Sequence, residues 1–343
     1  MRIARVFACA LAGAWVTMGA AGADEMQAPA FALPAEVVSA ATAFQRYMAS
    51  AAKIEAGFAD GDAVAQGLKT ASGYEPSQME EGMVAYGAIV ALRDERFVAS
   101  VERAAGNGDD RAAFAEQLVQ DPSTVTQVEG ADEAARRIEA ALGGKAGALL
   151  SAATQVKAAA YSVQHQAWSQ AAVGDAQERL ADVKTRSNQR AAPSDDEDQA
   201  MLSAIADGDA SALDGGDAPA GPTPIEARAL ALAAESVLGR AHAADRDRLT
   251  PLFSDADSAE CLRMAKLDLY QCMAVAGPQY EDIYCMGQHA MAETARCVAG
   301  AAHAAPTEMT SLAEPPPDPT ADPASGPAYV RVASRQTAKI DPN

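Results

Sequence analysis

Residues 261–297 read CLRMAKLDLYQCMAVAGPQYEDIYCMGQHAMAETARC, and this stretch sets the strongest constraint on the fold. It contains four of the five cysteines of the chain, Cys261, Cys272, Cys285 and Cys297. The two arms, roughly 258–275 and 282–300, carry apolar residues at three- and four-residue steps, which is typical of helices. Gly277 and Pro278 interrupt this pattern between the arms, because proline cannot continue a helix. The stretch therefore predicts an antiparallel helical hairpin.

Helix geometry decides how the four cysteines pair. Pairing within one arm would bridge 11 or 12 helical residues, about 16–18 Å at 1.5 Å per residue, whereas a disulfide needs Cα atoms within about 7 Å. Pairing Cys261 with Cys285 and Cys272 with Cys297 mismatches the heights of the two arms by a similar length. We therefore predict the nested disulfides Cys261–Cys297 and Cys272–Cys285. The twelve residues from Cys285 to Cys297 rotate about 120° beyond whole turns, so we expect the second arm to kink or unwind slightly.

The N-terminal sequence has the features of a secretory signal peptide. Arg2 and Arg5 precede a short apolar run, and small residues follow at 21–23, which predicts cleavage near Ala23. An N-terminal membrane anchor is the alternative, but the apolar run is short for a bilayer span. We predict no transmembrane segment in the mature chain. The mature protein is then periplasmic or secreted, in a compartment that permits disulfides.

Composition favours an all-α fold and argues against some classes of partner. The formal net charge is −20, which argues against nucleic acid or anionic lipid as a partner. Alanine makes up about a quarter of the chain, and aromatic residues make up only 5%. Such a sequence suits closely packed helices and is poor in the residues that favour sheets.

Changes in composition divide the chain into five regions. The stretch 188–223 is acidic and rich in Gly, Ala and Pro, and we interpret it as a linker with at most one short helix near 197–206. The C-terminal sequence EPPPDPTADPASGP predicts a disordered tail. The regions are a signal peptide (1–23), an N-terminal helical domain (24–187), the linker (188–223), a helix plus the four-cysteine hairpin (224–301) and the Pro-rich tail (302–343).

Local signals predict three further features of the N-terminal domain. Apolar spacing indicates a first helix over roughly 34–60. Ser77-Gln78-Met79-Glu80 has the pattern of a capping box. Gly143-Gly144 predicts a hinge between helices at 131–142 and 145–171.

One aromatic cluster is a candidate ligand site. Tyr161, His165 and Trp168 have four- and seven-residue spacing and share one face of the predicted helix. Such a face could line a pocket for a small ligand. The alternative is an aromatic contact between helices, and no catalytic partner lies nearby in the sequence.

The hairpin is also rich in methionine, with Met264, Met273, Met286 and Met291, and His289 lies between the last two. Thioether and imidazole groups suit copper. The alternative is that methionine fills gaps in an alanine-rich core. Close Met-x-x-Met pairs are absent, and the cysteines are too far apart for the close ligand pairs of a zinc site. We therefore predict no metal and no cofactor.

Motifs of known catalytic classes are absent from the sequence. There is no Gly-x-Ser-x-Gly, His-Glu-x-x-His or phosphate-binding glycine loop, and we predict no catalytic residue. The sequence favours a non-enzymatic exported helical interaction or scaffold protein of the bacterial cell envelope. Its partner would be an envelope protein or a cell-wall component. The predicted partner surface is Tyr280, Glu281 and Asp282 at the hairpin turn.

Two other functions stay open at this point. One is an enzyme without a recognisable motif that acts on the cell wall or a polysaccharide. The other is a carrier of a small ligand or of copper. A deep cleft with two facing carboxylates would favour the enzyme, whereas a flat surface with an exposed apolar helix face would favour the interaction protein.

Overall fold

A computed structural model of the chain describes residues 33–207 and 221–303, and within these ranges the regular structure is helical, without strands. The predicted all-α class is therefore confirmed. The predicted signal peptide, residues 208–220 of the linker and residues 304–343 of the tail lie outside the described residues. No described helix is both long enough and apolar enough to cross a membrane.

Within each of the two described ranges, the helices follow one another with short connections. The α-helices are α1 (Ala35–Ala51), α2 (Gly61–Ala71), α3 (Pro76–Ala91), α4 (Glu95–Ala104), α5 (Asp109–Gln120), α6 (Ala131–Val163), α7 (Ala167–Gln170), α8 (Ala176–Ser187), α9 (Asp195–Asp207), α10 (Pro224–Val237), α11 (Arg246–Leu249), α12 (Ala256–Val275), α13 (Gln279–Cys285) and α14 (Thr294–Ala301). Short 3-10 helices occupy Pro122–Gln127, Ala243–Asp245 and Thr250–Phe253, and a π-helical segment, Met286–Glu293, joins α13 to α14.

Two helices of small and apolar residues form the centre of the molecule. Every residue of α3 from Gln78 to Ala91 is buried except Glu81, and α10 is buried along its length except at its N-terminal proline and Arg228. Helix α3 packs against α1, α6, α10 and α12. The two predicted helical regions, 24–187 and 224–301, thus contribute to one continuous hydrophobic core.

Glycine allows α3 to approach its neighbours closely. A Cβ atom at Gly82 would lie 2.5 Å from Cβ of Phe44 and 2.6 Å from the carbonyl oxygen of Ala40, both on α1. A Cβ at Gly87 would lie 2.9 Å from Cβ of Ala229 on α10. Glycine costs up to about 1 kcal/mol in a helix relative to alanine, and here the close contact between helices offsets that cost.

The first helix is shorter than the sequence suggested. Helix α1 ends at Ala51, not near residue 60. Asp60 instead caps α2, because its side chain accepts a hydrogen bond from the backbone N–H of Ala63 at 2.9 Å. Phe58 continues the apolar pattern and is buried, although it lies in the connection. The periodicity therefore indicated burial correctly and helix length wrongly.

The predicted capping box at 77–80 is wrong. The residue that caps α3 is Glu75, whose carboxylate accepts hydrogen bonds from the N–H groups of Ser77 and Gln78 at 2.9 and 2.8 Å. Pro76 occupies the first turn, so the helix begins before Ser77 can act as the cap. Glu80 is buried and accepts a hydrogen bond from the backbone N–H of Asp255.

The predicted hinge at Gly143-Gly144 is also wrong, because α6 runs unbroken through both glycines. Its buried face continues across them with Leu142, Ala146 and Leu149. Packing of that face against the core stabilises the helix where glycine disfavours it.

The described part of the acidic linker contains one helix, α9, as the sequence suggested. Glu197 of α9 forms an ion pair with Arg46 of α1 at 3.0 Å. The side-chain amide of Gln78 donates to the carbonyl of Ala191 at 2.7 Å and accepts from its N–H at 2.6 Å. Residues 188–207 therefore contact α1 and α3.

Replacing two helical glycines by alanine should have opposite effects on stability. We expect Gly82→Ala to lower the free energy of unfolding by about 1–3 kcal/mol, because the added methyl overpacks the contact between α3 and α1. Gly144→Ala is the matched control: a Cβ there meets nothing within 4 Å, so it should stabilise α6 by about 0.5–1 kcal/mol. Urea unfolding followed by circular dichroism measures both changes. A stable Gly82→Ala variant would contradict the close packing.

Candidate functional site at the disulfide hairpin

Two disulfides join α12 to the second arm of the hairpin at both ends. Cys261 bonds Cys297 and Cys272 bonds Cys285, each pair with a Cα–Cα distance of 5.7 Å. The nested pairing predicted from helix rise is confirmed. We call the strip of contact between α12 and the second arm that lies between these disulfides the seam.

The π-helical segment solves the phase problem of the second arm. Residues 286–293 lie between the two cysteines of this arm. A π-helix closes hydrogen bonds from residue i to i+5, so each residue advances less around the axis than in an α-helix. The excess rotation of about 120° expected for an α-helix is thereby reduced, and Cys297 faces Cys261. The expected unwinding is confirmed, and its form is a π-helix.

Loop residues after α7 hold the hairpin turn. The backbone N–H of Val173 donates to the carbonyl of Gly277 at 3.0 Å, and the N–H of Gln279 donates to Ala171 at 3.2 Å. One carboxylate oxygen of Glu281 also takes part in the turn, because it accepts a hydrogen bond from the N–H of Gly277 at 2.7 Å.

Asp282 does not belong to an exposed partner surface, contrary to the prediction. It is 1% exposed and forms an ion pair with Arg179 of α8 at 2.7 Å. Arg179 also donates to the carbonyl oxygens of Met273 and Ala276 at 3.0 and 3.1 Å, at the end of α12. Burial raises the pKa of Asp282 to about 7, and the nearby Arg179 opposes that rise. The pair locks the turn onto α8.

A groove beside the turn unites residues from the two predicted sites. Its cavity volume is about 320 Å³, and the Cys272–Cys285 disulfide forms part of its wall. Tyr161 of α6 lies edge-on to Tyr284, with 6.2 Å between ring centroids. The tyrosine groove, as we call it, is lined by Tyr161, Val275, Tyr280, Glu281 and Tyr284 together with this disulfide.

The other two residues of the predicted ligand face do not line this groove. Helix α6 ends at Val163, so His165 and Trp168 do not share a helix face with Tyr161. His165 is exposed. The indole N–H of Trp168 donates to the side chain of Gln166 at 2.6 Å. The spacing argument fails because the chain turns after Val163.

The outer side of α12 exposes apolar side chains. Among the described residues, the exposed large hydrophobic side chains are Tyr161, Met264, Leu267 and Val275. The last three lie on α12, and Val275, which is 83% exposed, also lines the tyrosine groove. We call Met264, Leu267 and Val275 the α12 stripe.

The hairpin methionines do not form a common ligand set. Met273, Met286 and Met291 are fully buried, whereas Met264 is exposed. A Cβ added at Gly67 of α2 would lie 2.9 Å from the sulfur of Met286, so this thioether packs against α2. These side chains fill the core.

Sequence reasoning missed a different cluster in the seam. One ligand atom each from Asp268, His289 and Glu293 lie within 4.8 Å of one another. Nδ1 of His289 lies 2.9 Å from Oε1 of Glu293. The signal was present in the spacing, because His289 and Glu293 continue the four-residue steps between Cys285 and Cys297.

A second cavity bears on the enzyme alternative. Glu226, Glu139 and Asp132 line a space of about 130 Å³, smaller than the roughly 300–1,000 Å³ of ligand pockets. Glu226 accepts a hydrogen bond from the backbone N–H of Thr223 at 2.8 Å and completes the capping box of α10. Burial raises the pKa of Glu226 to about 7. Its environment is that of a buried helix cap.

Comparison of the chain with protein-family models, curated proteins and solved structures gave no match.

Loss of Arg179 should leave the buried carboxyl of Asp282 and the carbonyl oxygens of Met273 and Ala276 without their donor. We expect Arg179→Met to lower the free energy of unfolding by about 1–3 kcal/mol at neutral pH, because Asp282 then takes up a proton to stay buried and the two carbonyl oxygens lose their donor. Arg186→Met is the control: its ion pair with Asp182 is partly exposed and should contribute less than about 1 kcal/mol. The double variant Arg179→Met/Asp282→Asn should recover part of the loss. Equal effects of Arg179→Met and Arg186→Met in urea unfolding would argue against the buried pair.

Glu226 should make stability fall as the pH rises. Its folded-state pKa, about 7, lies above an unfolded value of about 4.3, so the folded state holds the proton more tightly. The associated stability is present below about pH 4 and is lost as the pH rises to about 7. Glu226→Gln keeps a capping side chain and should be more stable than the wild type at pH 8, by about 2 kcal/mol. Urea unfolding at pH 5 and pH 8 measures this, with the exposed Glu102→Gln as control; parallel pH profiles would contradict it.

Proposed function

We propose that this chain is an exported, non-enzymatic interaction protein of the bacterial cell envelope, which binds a protein partner through the α12 stripe and the tyrosine groove. The observation that carries the proposal is the location of the exposed large apolar residues. In the described part of the chain they lie on α12 or, like Tyr161, beside the same groove.

The chemistry of this surface fits a protein interface. Large apolar side chains exposed together on one side of a folded protein are typical of interaction sites, and tyrosine is enriched in such interfaces. The groove presents three tyrosines, and Val275 belongs to both the groove and the stripe, with the exposed Gln271 between Val275 and Leu267. The disulfide wall keeps the groove in place without the partner, which lowers the ordering cost of binding.

Length and charge favour an amphipathic helix as the part of the partner that binds. From Met264 to Val275 the stripe spans about 16 Å, which is three helical turns. Asp257 on the same helix is exposed, whereas Glu260 forms an ion pair with Arg263, and the chain as a whole carries a charge of −20. A partner helix with an apolar face and a rim of Lys or Arg complements both features.

Export is supported by the disulfides and by the N-terminal sequence. Both disulfides join cysteines of one hairpin, and such bonds persist in oxidising compartments, the periplasm among them. The signal-peptide features of residues 1–23 agree with this location. A cell-wall component as the ligand is less well supported, because the α12 stripe is apolar and sugars need polar partners.

Site-specific photo-crosslinking in intact cells tests the interaction. A photoreactive residue at Leu267 or Val275 should capture one discrete protein, and the same residue at the exposed Gln117 on α5 should not. Leu267→Glu and Val275→Glu each place a charge in the interface, so we expect at least about a tenfold drop in captured product. Gln117→Glu adds the same charge elsewhere and should have no effect. Equal capture from all three positions, or capture unaffected by the charges, would overturn the proposal.

A further inference from the structure

We propose that Asp268, His289 and Glu293 bind one divalent transition-metal ion, preferentially Zn²⁺, in the seam between the two disulfides. The proposal goes beyond partner binding and rests on a different set of residues. It requires neither the tyrosine groove nor the α12 stripe.

The helix geometry directs all three side chains into the seam. On α12, residues seven and four positions apart return to nearly the same face. Asp268 lies seven residues after Cys261 and four before Cys272, so it faces the second arm. On that arm the π-helical turns reduce the drift of residues spaced by four. The aligned residues are Cys285, His289, Glu293 and Cys297.

The ligand atoms already converge. They lie within 4.8 Å of one another, and two of them, Nδ1 of His289 and Oε1 of Glu293, are 2.9 Å apart. In a tetrahedral zinc site with bonds of about 2.1 Å, ligand atoms lie about 3.4 Å apart. Small side-chain rotations therefore suffice to close the site. The disulfides at both ends of the seam keep the arms at this distance.

The electrostatics of the cluster favour a cation. Two carboxylates in a partly buried space repel each other, and a divalent ion neutralises both. Oε2 of Glu293 is buried and has no hydrogen-bond partner among the described residues. A buried oxygen of this kind costs free energy unless a ligand or donor satisfies it. The π-helix points the same way, because such segments are frequent at functional sites.

The donor set selects the class of metal. One imidazole and two carboxylates suit zinc, which commonly takes three protein ligands and keeps the fourth position open. Calcium needs six to eight oxygen ligands, and magnesium prefers an octahedral set of oxygens. Copper(I) prefers thioethers, but Met286 and Met291 are buried in the core. The side chains of His289 and Glu293 are 20% and 23% exposed, so the open position is reachable from solvent.

Metal titration of the oxidised mature chain tests the site. The protein is dialysed against EDTA and then titrated with ZnCl₂ in a calorimeter. We expect one ion per chain with a dissociation constant below about 10 µM. Loss of an outer-shell group costs about 10- to 100-fold in affinity, so His289→Gln, Glu293→Gln and Asp268→Asn should each weaken binding at least tenfold. CaCl₂ and MgCl₂ should bind far more weakly.

Matched variants separate this site from other zinc-binding groups. His165→Gln and Glu260→Gln remove an exposed imidazole and an exposed carboxylate elsewhere, and both should bind Zn²⁺ like the wild type. Disulfide mapping and circular dichroism establish that each variant is folded. Excess Zn²⁺ should raise the Tm of the wild type, and not that of folded Asp268→Asn. Absence of one-to-one Zn²⁺ binding, wild-type affinity in the three seam variants, or tighter binding of Ca²⁺ would each overturn the proposal.

Discussion

Two disulfides fix the register of the hairpin at both ends, and the rest of the site depends on this constraint. Because Cys272–Cys285 and Cys261–Cys297 both close, the second arm has to bring its two cysteines to the same face over twelve residues. An α-helix does not do so, and the π-helical segment does. The same change of twist aligns His289 and Glu293 with the cystines. The cluster in the seam is thus a consequence of the cross-linking geometry.

Buried polar contacts dock the hairpin onto the N-terminal helices. The hydroxyl of Tyr47 on α1 lies 3.1 Å from the carbonyl oxygen of Ala290, and Tyr74 and Thr294 are joined by a hydrogen bond of 2.7 Å. Lys266 of α12 donates to the carbonyl of Ser72 at 2.9 Å and lies over the ring of Tyr74. Burial lowers the pKa of Lys266 well below its usual value, because the neutral amine costs less free energy to bury than the charged one. These contacts tie the hairpin to one particular orientation on the core.

The sequence alone was sufficient to predict those features of the structure that one local rule determines. Helix rise alone selected Cys261–Cys297 and Cys272–Cys285, and the alanine-rich composition indicated an all-α chain. It was insufficient where distant residues decide. The sequence predicted that Asp282 is exposed at the turn. It is instead buried in an ion pair with Arg179, which lies 103 positions away in the sequence. The groove needs Tyr161 from α6 beside Tyr284 of the hairpin, a contact that no local spacing encodes. The Gly143-Gly144 hinge was wrong because tertiary packing outweighed local propensity.

Helix α12 has features that a purely structural role of the hairpin does not account for. At 100° per residue its surface divides into three sectors. One sector, with Leu262, Leu269 and Met273, is buried in the core. The next faces the seam and carries both cystines and Asp268. The third is exposed and carries the three apolar residues of the α12 stripe together with the polar residues Glu260, Arg263 and Gln271. The outer side of a surface helix is usually polar, and the three large apolar side chains among these polar residues are the feature that the proposed partner binding accounts for. The proposed metal site accounts in the same way for Asp268, the carboxylate between the cystines.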